Sequence, residues 1–216
     1  MSRNPLAGIV MATLLEADPF IESLGLHEIE NTPFPLYERD DLILVISGIG
    51  KANAAMATMY CGIRFHPRWV CNLGAAGATD SSHPLGAIYH IDKVTEYDRP
   101  FLQSAEPRMH TPYVLQGFET ATIATQDKPV LSADERREIS LHADLVDMEA
   151  AAVVQACGKL DMRPVLFKFV SDTPAHSGHS DIVEHIERYR APFCQFFSRS
   201  IMPVLSTMPL PGSPNC

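Results

Sequence analysis

Apolar runs of four to seven residues, rich in Val and Ile and often closed by Gly, alternate along this chain with longer stretches of helical periodicity. Strands covered on both faces by helices produce that pattern, because a strand with no solvent face has no cause to alternate apolar with polar residues. The runs predict strands at Ala7–Met11, Leu42–Ser47, Trp69–Leu73, Ala87–Val94, Ala121–Thr125 and Val165–Ser171, with a further edge strand at Tyr37–Arg39. Helices are predicted over Leu15–Leu24, Ala52–Ile63, Ala133–Ser140, Met148–Leu160 and Asp181–Val204, and Pro192 and Pro203 should kink or end the last. The fold class is α/β. Tyr97–Gly117 carries Pro100, Pro107 and Pro112 without a clear period and reads as a long surface loop. Residues 208–216 hold three prolines and read as a flexible tail, which leaves 1–207 as one domain.

Composition narrows the function classes. The 216 residues are 46% hydrophobic and 20% charged, enough for one substantial core. Seventeen Lys plus Arg against twenty-six Asp plus Glu give a formal charge of -9, which repels phosphate backbones, so a nucleic-acid partner is not expected. No apolar run approaches the roughly 18 residues that cross a bilayer, and Met1-Ser2-Arg3-Asn4-Pro5 opens no signal peptide. A cytoplasmic protein without a membrane partner is expected. Cys61, Cys71, Cys157, Cys194 and Cys216 are odd in number and lack CxxC spacing, so they read as reduced thiols, the first four as small core residues.

In an open α/β sheet, ligands sit beyond the carboxyl ends of the strands, and four such ends carry unusual residues. After the first strand, Ala12-Thr13-Leu14-Leu15-Glu16 sets a carboxylate about one helical turn on. After the second, Ser47-Gly48-Ile49-Gly50-Lys51 lets the backbone approach a ligand or simply turn into the next helix; it lacks the spacing of a Walker loop. The third strand ends in Asn72-Leu73-Gly74-Ala75-Ala76-Gly77-Ala78, whose tiny side chains leave space for a ligand or for close helix packing. The fourth end, Ser171-Asp172, brings a carboxylate out of a buried strand, as a site residue or as a helix N-cap. Glu149 opens an apolar Ala-rich helix, which reads as an inward-facing entrance, and Lys168 inside an apolar strand needs a carboxylate partner. His176, His179 and His185 match no standard helical metal pair and read as loop and helix-cap histidines near a mobile flap, from which His176 could reach a substrate.

Ser-Gly-Ile-Gly-Lys, Asn-x-Gly-x-Ala-Gly, Asp-Met-Glu-Ala-Ala-Ala and Val-Ser-Asp, in this order, resemble the nucleoside phosphorylase and nucleosidase superfamily, and most closely its methylthioadenosine/S-adenosylhomocysteine nucleosidase branch. The resemblance spans about residues 7 to 200. It implies a three-layer αβα sandwich around a central mixed, largely parallel twisted sheet. It also implies hydrolysis of the N-ribosidic bond of a purine nucleoside, a 5'-modified adenosine, with no cofactor or metal and with a homodimeric assembly. Glu16 then corresponds to the water-activating glutamate, and Met148 and Glu149 to the pair that binds ribose. Ser171 and Asp172 correspond to the pair at N7 of the departing purine, where the aspartate is protonated or shares a proton. Lys168 stands where the nucleosidases usually carry Arg, and Ile49, Ala75, Ala76, Gly77 and Val130 line ribose and base.

Two carboxylates in different environments can divide proton donation and nucleophile activation, as O-glycosidases do. Phosphorylases of the superfamily carry basic groups where this chain has Ala12–Leu15 and Asn72, so water is the expected nucleophile. Ala75 replaces the usual serine, Pro129 falls at the base-stacking aromatic, and Thr13 stands where Met is frequent, so the pocket for the 5' group should differ.

Overall fold

The computed structural model describes residues 4–100 and 108–209. Among the described residues ten strands form one mixed sheet: β1 (Ala7–Met11), β2 (His27–Glu30), β3 (Leu36–Arg39), β4 (Leu42–Ile46), β5 (Trp69–Ala78), β6 (Ile88–Glu96), β7 (Met109–His110), β8 (Thr120–Thr125), β9 (Leu145–Asp147) and β10 (Pro164–Asp172). The helices are α1 (Leu14–Leu24), α2 (Lys51–Phe65), α3 (Ala133–Ile139), α4 (Ala150–Lys159), α5 (His179–Phe196) and α6 (Met202–Thr207), with a π-helical turn Phe197–Ile201 between the last two. The six strands predicted from the apolar runs and the five helices are present; the expected edge strand Tyr37–Arg39 is also present, but it lies between β2 and β4, and β2 forms the edge.

Parallel pairing joins β4, β1, β5 and β10 through the centre, while the β2–β3–β4 ribbon is antiparallel. The expected layers are present. Odd-numbered β1 and β5 residues such as Ile9, Met11, Cys71 and Leu73 pack with Phe20 of α1 and Phe193 of α5. Val10 and Val70 face the other way, onto Ala54, Ala57 and Cys61 of α2 and Val153 and Cys157 of α4. One departure from an open sheet shapes the site. β5 pairs β10, β10 pairs β6, β6 pairs β8, β8 pairs β9 and β9 pairs β5, so these five strands close into a ring.

Other departures have local causes. β5 does not stop at Leu73 but runs to Ala78, because β10 lies beside it in parallel register and bonds to the small residues. β2 and β9 escaped the pattern: His-Glu-Ile-Glu is a polar edge strand, and Leu-Val-Asp is three residues long. Within the expected loop, Met109–His110 pairs with β6. Pro192 does not end α5, whereas Pro203 sits in the first turn of a new helix, where its missing N–H costs nothing. Cys61, Cys71, Cys157 and Cys194 are buried free thiols, as expected; Cys216, like the rest of 210–216, lies outside the described residues.

Candidate active site

A cavity of about 300 Å³ opens at the carboxyl ends of β1, β5 and β10. Ten of the eleven residues singled out from the sequence line it: Glu16, Ile49, Ala75, Ala76, Gly77, Val130, Met148, Glu149, Ser171 and Asp172. The eleventh, Lys168, does not. It lies under the floor, 1% exposed, because a strand-interior lysine alternates away from the cavity and meets Asp147 instead.

Glu16 owes its orientation to a capping box. Thr13 is the N-cap of α1; its hydroxyl accepts from the Glu16 backbone N–H at 3.3 Å, and the Glu16 carboxylate returns the bond. Glu16 Oε2 accepts from the Thr13 hydroxyl at 2.7 Å and from its N–H at 3.2 Å. Oε1 accepts from the Ala75 N–H at 2.9 Å. A Cβ at position 74 would lie 2.7 Å from that oxygen, so Gly74 is required by the carboxylate it sits against. The Thr-x-x-Glu spacing was readable in the sequence, and it explains why a residue of the first helical turn faces inward.

Glu149 is the N-cap residue of α4, 7% exposed, and its Oε1 accepts from the Gly50 N–H at 2.9 Å. This bond is what the Gly48-Ile49-Gly50 turn delivers: φ is +84° at Gly48 and +99° at Gly50, values that side-chain-bearing residues rarely adopt. Burial, reinforced by the nearby negative charge of Asp147, raises the Glu149 carboxyl to about 7. Asp147, missed from the sequence, also lines the cavity and supports this corner. Its Oδ1 accepts from the Thr125 hydroxyl at 2.6 Å, and its Oδ2 accepts from the Ala150 N–H at 2.8 Å and pairs with the Lys168 ammonium at 2.9 Å. Burial alone would push that ammonium down; Asp147, with Glu149 behind it, outweighs burial and holds it above the ordinary lysine value.

Asp172 ends β10 opposite Gly77, where a Cβ would fall 2.5 Å from its Oδ2. Its Oδ1 accepts from the Ser171 hydroxyl at 2.6 Å, and its Oδ2 pairs with the guanidinium of Arg136. The Asn-x-Gly-x-Ala-Gly run therefore gives space to two carboxylates, Glu16 at Gly74 and Asp172 at Gly77. Arg136 also went unnoticed. The signal was available: Arg136, Ile139 and Ala143 recur at helical spacing, and an arginine on an apolar face needs an acid.

The far wall is apolar, with Leu15 from α1 and Ile182, Val183 and Ile186 from α5. Of the three histidines, His179 lines the cavity, while the His176 ring bonds Thr173 at 3.1 Å and His185 bonds the Ser171 carbonyl at 2.9 Å. Among the described residues no group of three His, Cys, Asp or Glu side chains is arranged to hold a metal ion. Glu16, Glu149 and Asp172, each held by different partners, thus converge on one largely apolar hollow, with Asp147 in the Glu149 corner, a set suited to polarising water, gripping vicinal hydroxyls and meeting a basic ring nitrogen.

A family model described as the phosphorylase superfamily matches residues 7–201. A 5'-methylthioadenosine/S-adenosylhomocysteine nucleosidase of Bacillus subtilis is 30% identical over 179 residues, 70% of this chain and 77% of the relative. A protein of the same name from Staphylococcus saprophyticus is 28% identical over 156 residues, 61% of this chain and 68% of the relative. Two solved structures share the fold. A futalosine hydrolase mutant of Helicobacter pylori superposes with a TM-score of 0.80 at 18% identity, covering 89% of this chain and 96% of that one. A Neisseria meningitidis 5'-methylthioadenosine/S-adenosylhomocysteine nucleosidase bound to methylthio-immucillin-A gives 0.79 at 22%, covering 89% and 96%.

Proposed function

The chain belongs to the phosphorylase superfamily, and from that membership we propose that it is an N-glycosidase hydrolysing the N-ribosidic bond of a purine nucleoside, a 5'-modified adenosine, to release free base. The observation that carries this reading is the convergence of Glu16, Glu149 and Asp172 on one nucleoside-sized cavity. Breaking the ribosyl C–N bond builds positive charge on the sugar and sends an electron pair to the base. Glu16, fixed by Thr13 and Ala75, polarises the attacking water. Glu149, beside Met148, takes the ribose hydroxyls and faces the developing cation. Asp172, with Ser171, meets N7 of the departing purine. Ile49, Ala75, Ala76, Gly77 and Val130 supply the close apolar wall against ribose and base, and Lys168 acts from below by holding the Asp147–Glu149 corner.

Water is favoured over phosphate because the cavity's cationic lining among the described residues is poor. Of the two basic residues that line it, Lys128 is paired to Glu135 at 2.7 Å and only His179 remains in reach, while Arg136, outside the lining, is committed to Asp172. A dianion needs more than that. In the same reading the protein works as one domain, which includes Met208, held by Arg68 at 2.9 Å, in the cytoplasm, whose reducing conditions suit the buried thiols; the tail expected at 208–216 falls mostly outside the described residues. It assembles as a homodimer; exposed Met56 and Ile63 on α2 support an apolar contact face. Among the described residues no helix is long and apolar enough to cross a membrane.

A panel of 5'-modified adenosines and unmodified purine nucleosides, assayed with and without phosphate, tests the proposal by detection of free base. Base release independent of phosphate is expected. Release only with phosphate would make the protein a phosphorylase, and no release in either buffer would leave a nucleoside-binding relative without activity.

A further inference from the structure

The geometry points to Arg136 as a positioning residue for departure of the base, acting through Asp172; this inference rests on the nucleosidase reading above. Arg136 belongs to the short surface helix α3, yet it is 1% exposed, while the side chain of its neighbour Arg137 is 74% exposed. A buried guanidinium is costly unless its donors are used, and the partners here surround one end of the cavity. Nη1 donates to the Ala78 carbonyl at 2.6 Å and Nη2 to the Val130 carbonyl at 2.7 Å, and Nη2 also pairs with Asp172 Oδ2. Arg136 thereby ties the end of β5, the Val130 wall and the carboxylate into one unit.

The other Asp172 oxygen takes the Ser171 hydroxyl, so both oxygens are anchored and the plane of the carboxylate is fixed. Gly77 lets the pair approach: a Cβ there would fall 2.5 Å from Asp172 Oδ2 and 2.9 Å from Arg136 Nη1. Pure stabilisation is a poor account of this arrangement, because a buried ion pair is on average no more stabilising than an apolar replacement of the same size. The reaction supplies a better one. As the N9–C1' bond breaks, its electron pair moves onto the purine, and N7 gains a proton delivered by or shared with Asp172. The water oxygen bonds to C1' and yields a proton towards Glu16, so nucleoside plus water becomes free base plus sugar. Arg136 fixes the direction of the first proton and compensates the carboxylate left when it has moved.

The test compares two leaving groups. A 5'-modified adenosine needs a proton at N7, whereas a 4-nitrophenyl riboside with the same 5' group departs as a stable anion. Arg136→Met is expected to lower kcat about 10²-fold on the adenosine, with KM and the nitrophenyl rate changed by less than about threefold. Arg136→Lys should recover about tenfold on the adenosine, because a cation is restored without the fork. Asp172→Asn and the double variant Arg136→Met/Asp172→Asn should then have equal activity within about twofold, since Arg136 acts through the group already removed. Equal losses on both substrates, or a further loss in the double variant, would overturn the inference. Should Arg136→Met not fold, the comparison of Asp172→Asn with the double variant decides, because neither leaves that carboxylate buried and unpaired. If the parent enzyme releases neither leaving group, the nucleosidase reading falls and takes this inference with it; a parent active on both isolates the inference.

Discussion

Gly74 is the position where one added methyl group should test the role of Glu16 most sharply. An alanine Cβ there would lie 2.7 Å from Glu16 Oε1, roughly 0.8 Å inside an ordinary contact of about 3.5 Å. The backbone at 74 is outside the left-handed region, so the substitution acts through this clash and not through strain. Two responses are open to the protein. The carboxylate can retreat, which stretches its 2.9 Å bond from the Ala75 N–H beyond hydrogen-bond reach while Thr13 keeps its grip on Oε2. Alternatively β5 shifts, which disturbs its pairing with β1 and β10. Losing one bond to a charged group costs about 1.5–3 kcal/mol, and a displacement of about 1 Å at a reacting group costs about 10²-fold in rate. Gly74→Ala should therefore lower kcat about 10²-fold with KM changed by less than about threefold, at a stability cost of about 1–3 kcal/mol from overpacking. Steady-state base release and urea unfolding measure the two effects. A folded Gly74→Ala enzyme with kcat within twofold of the parent would refute the assignment of Glu16 to the chemistry.

Other positions give contrasting outcomes. Gly158, inside α4, has nothing within 4 Å of its absent Cβ, so Gly158→Ala should stabilise the protein by about 0.5–1 kcal/mol in urea unfolding and leave activity unchanged. His90 is fully buried, with Nδ1 donating to the Leu166 carbonyl at 2.8 Å and Nε2 accepting from the Leu115 N–H at 2.8 Å, and burial lowers its pKa. The unfolded chain then binds the proton that the folded state resists. Its contribution is whole above about pH 6.5 and is lost by up to about 1.4 kcal/mol per unit as pH falls towards the folded pKa; unfolding of parent and His90→Gln from pH 7.5 to 5 should show the smaller slope in the variant. Glu149, raised to about 7, must be ionised to accept from ribose hydroxyls, so kcat/KM should rise with pH through about 7. Glu149→Gln should lose most activity and that rise together; an unchanged rise would assign it to another group.

The strands and helices were legible because burial on two faces writes itself as apolar runs, unbroken in Ala7–Met11 and Leu42–Ile46 and interrupted only by Lys168 between Val165 and Val170. His27–Glu30 was not, since an edge strand is specified by its partner and not by its own side chains. The three carboxylates and their small-residue wall were legible through motif order, but the reasons for the motifs were not. Gly50 presents an N–H to Glu149, and Gly74 and Gly77 clear space for Glu16 and Asp172, relations between residues distant in the chain. Lys168 was recognised as needing an acid, yet strand alternation set it beneath the cavity against Asp147. Arg136 stands among charged neighbours in Asp-Glu-Arg-Arg-Glu, and only its helical spacing from Ile139 and Ala143 marks it as facing inward, towards Asp172.

The most direct test of the central claim is single-turnover cleavage of a 5'-modified adenosine in ¹⁸O-labelled water without phosphate, with base and sugar followed by mass spectrometry. The account predicts free base in equal amount to a sugar carrying one ¹⁸O at C1', and formation of both products slowed by about 10²-fold or more in Glu16→Gln and Asp172→Asn. Intact nucleoside in the parent enzyme, or an unlabelled sugar phosphate formed only when phosphate is added, would contradict it.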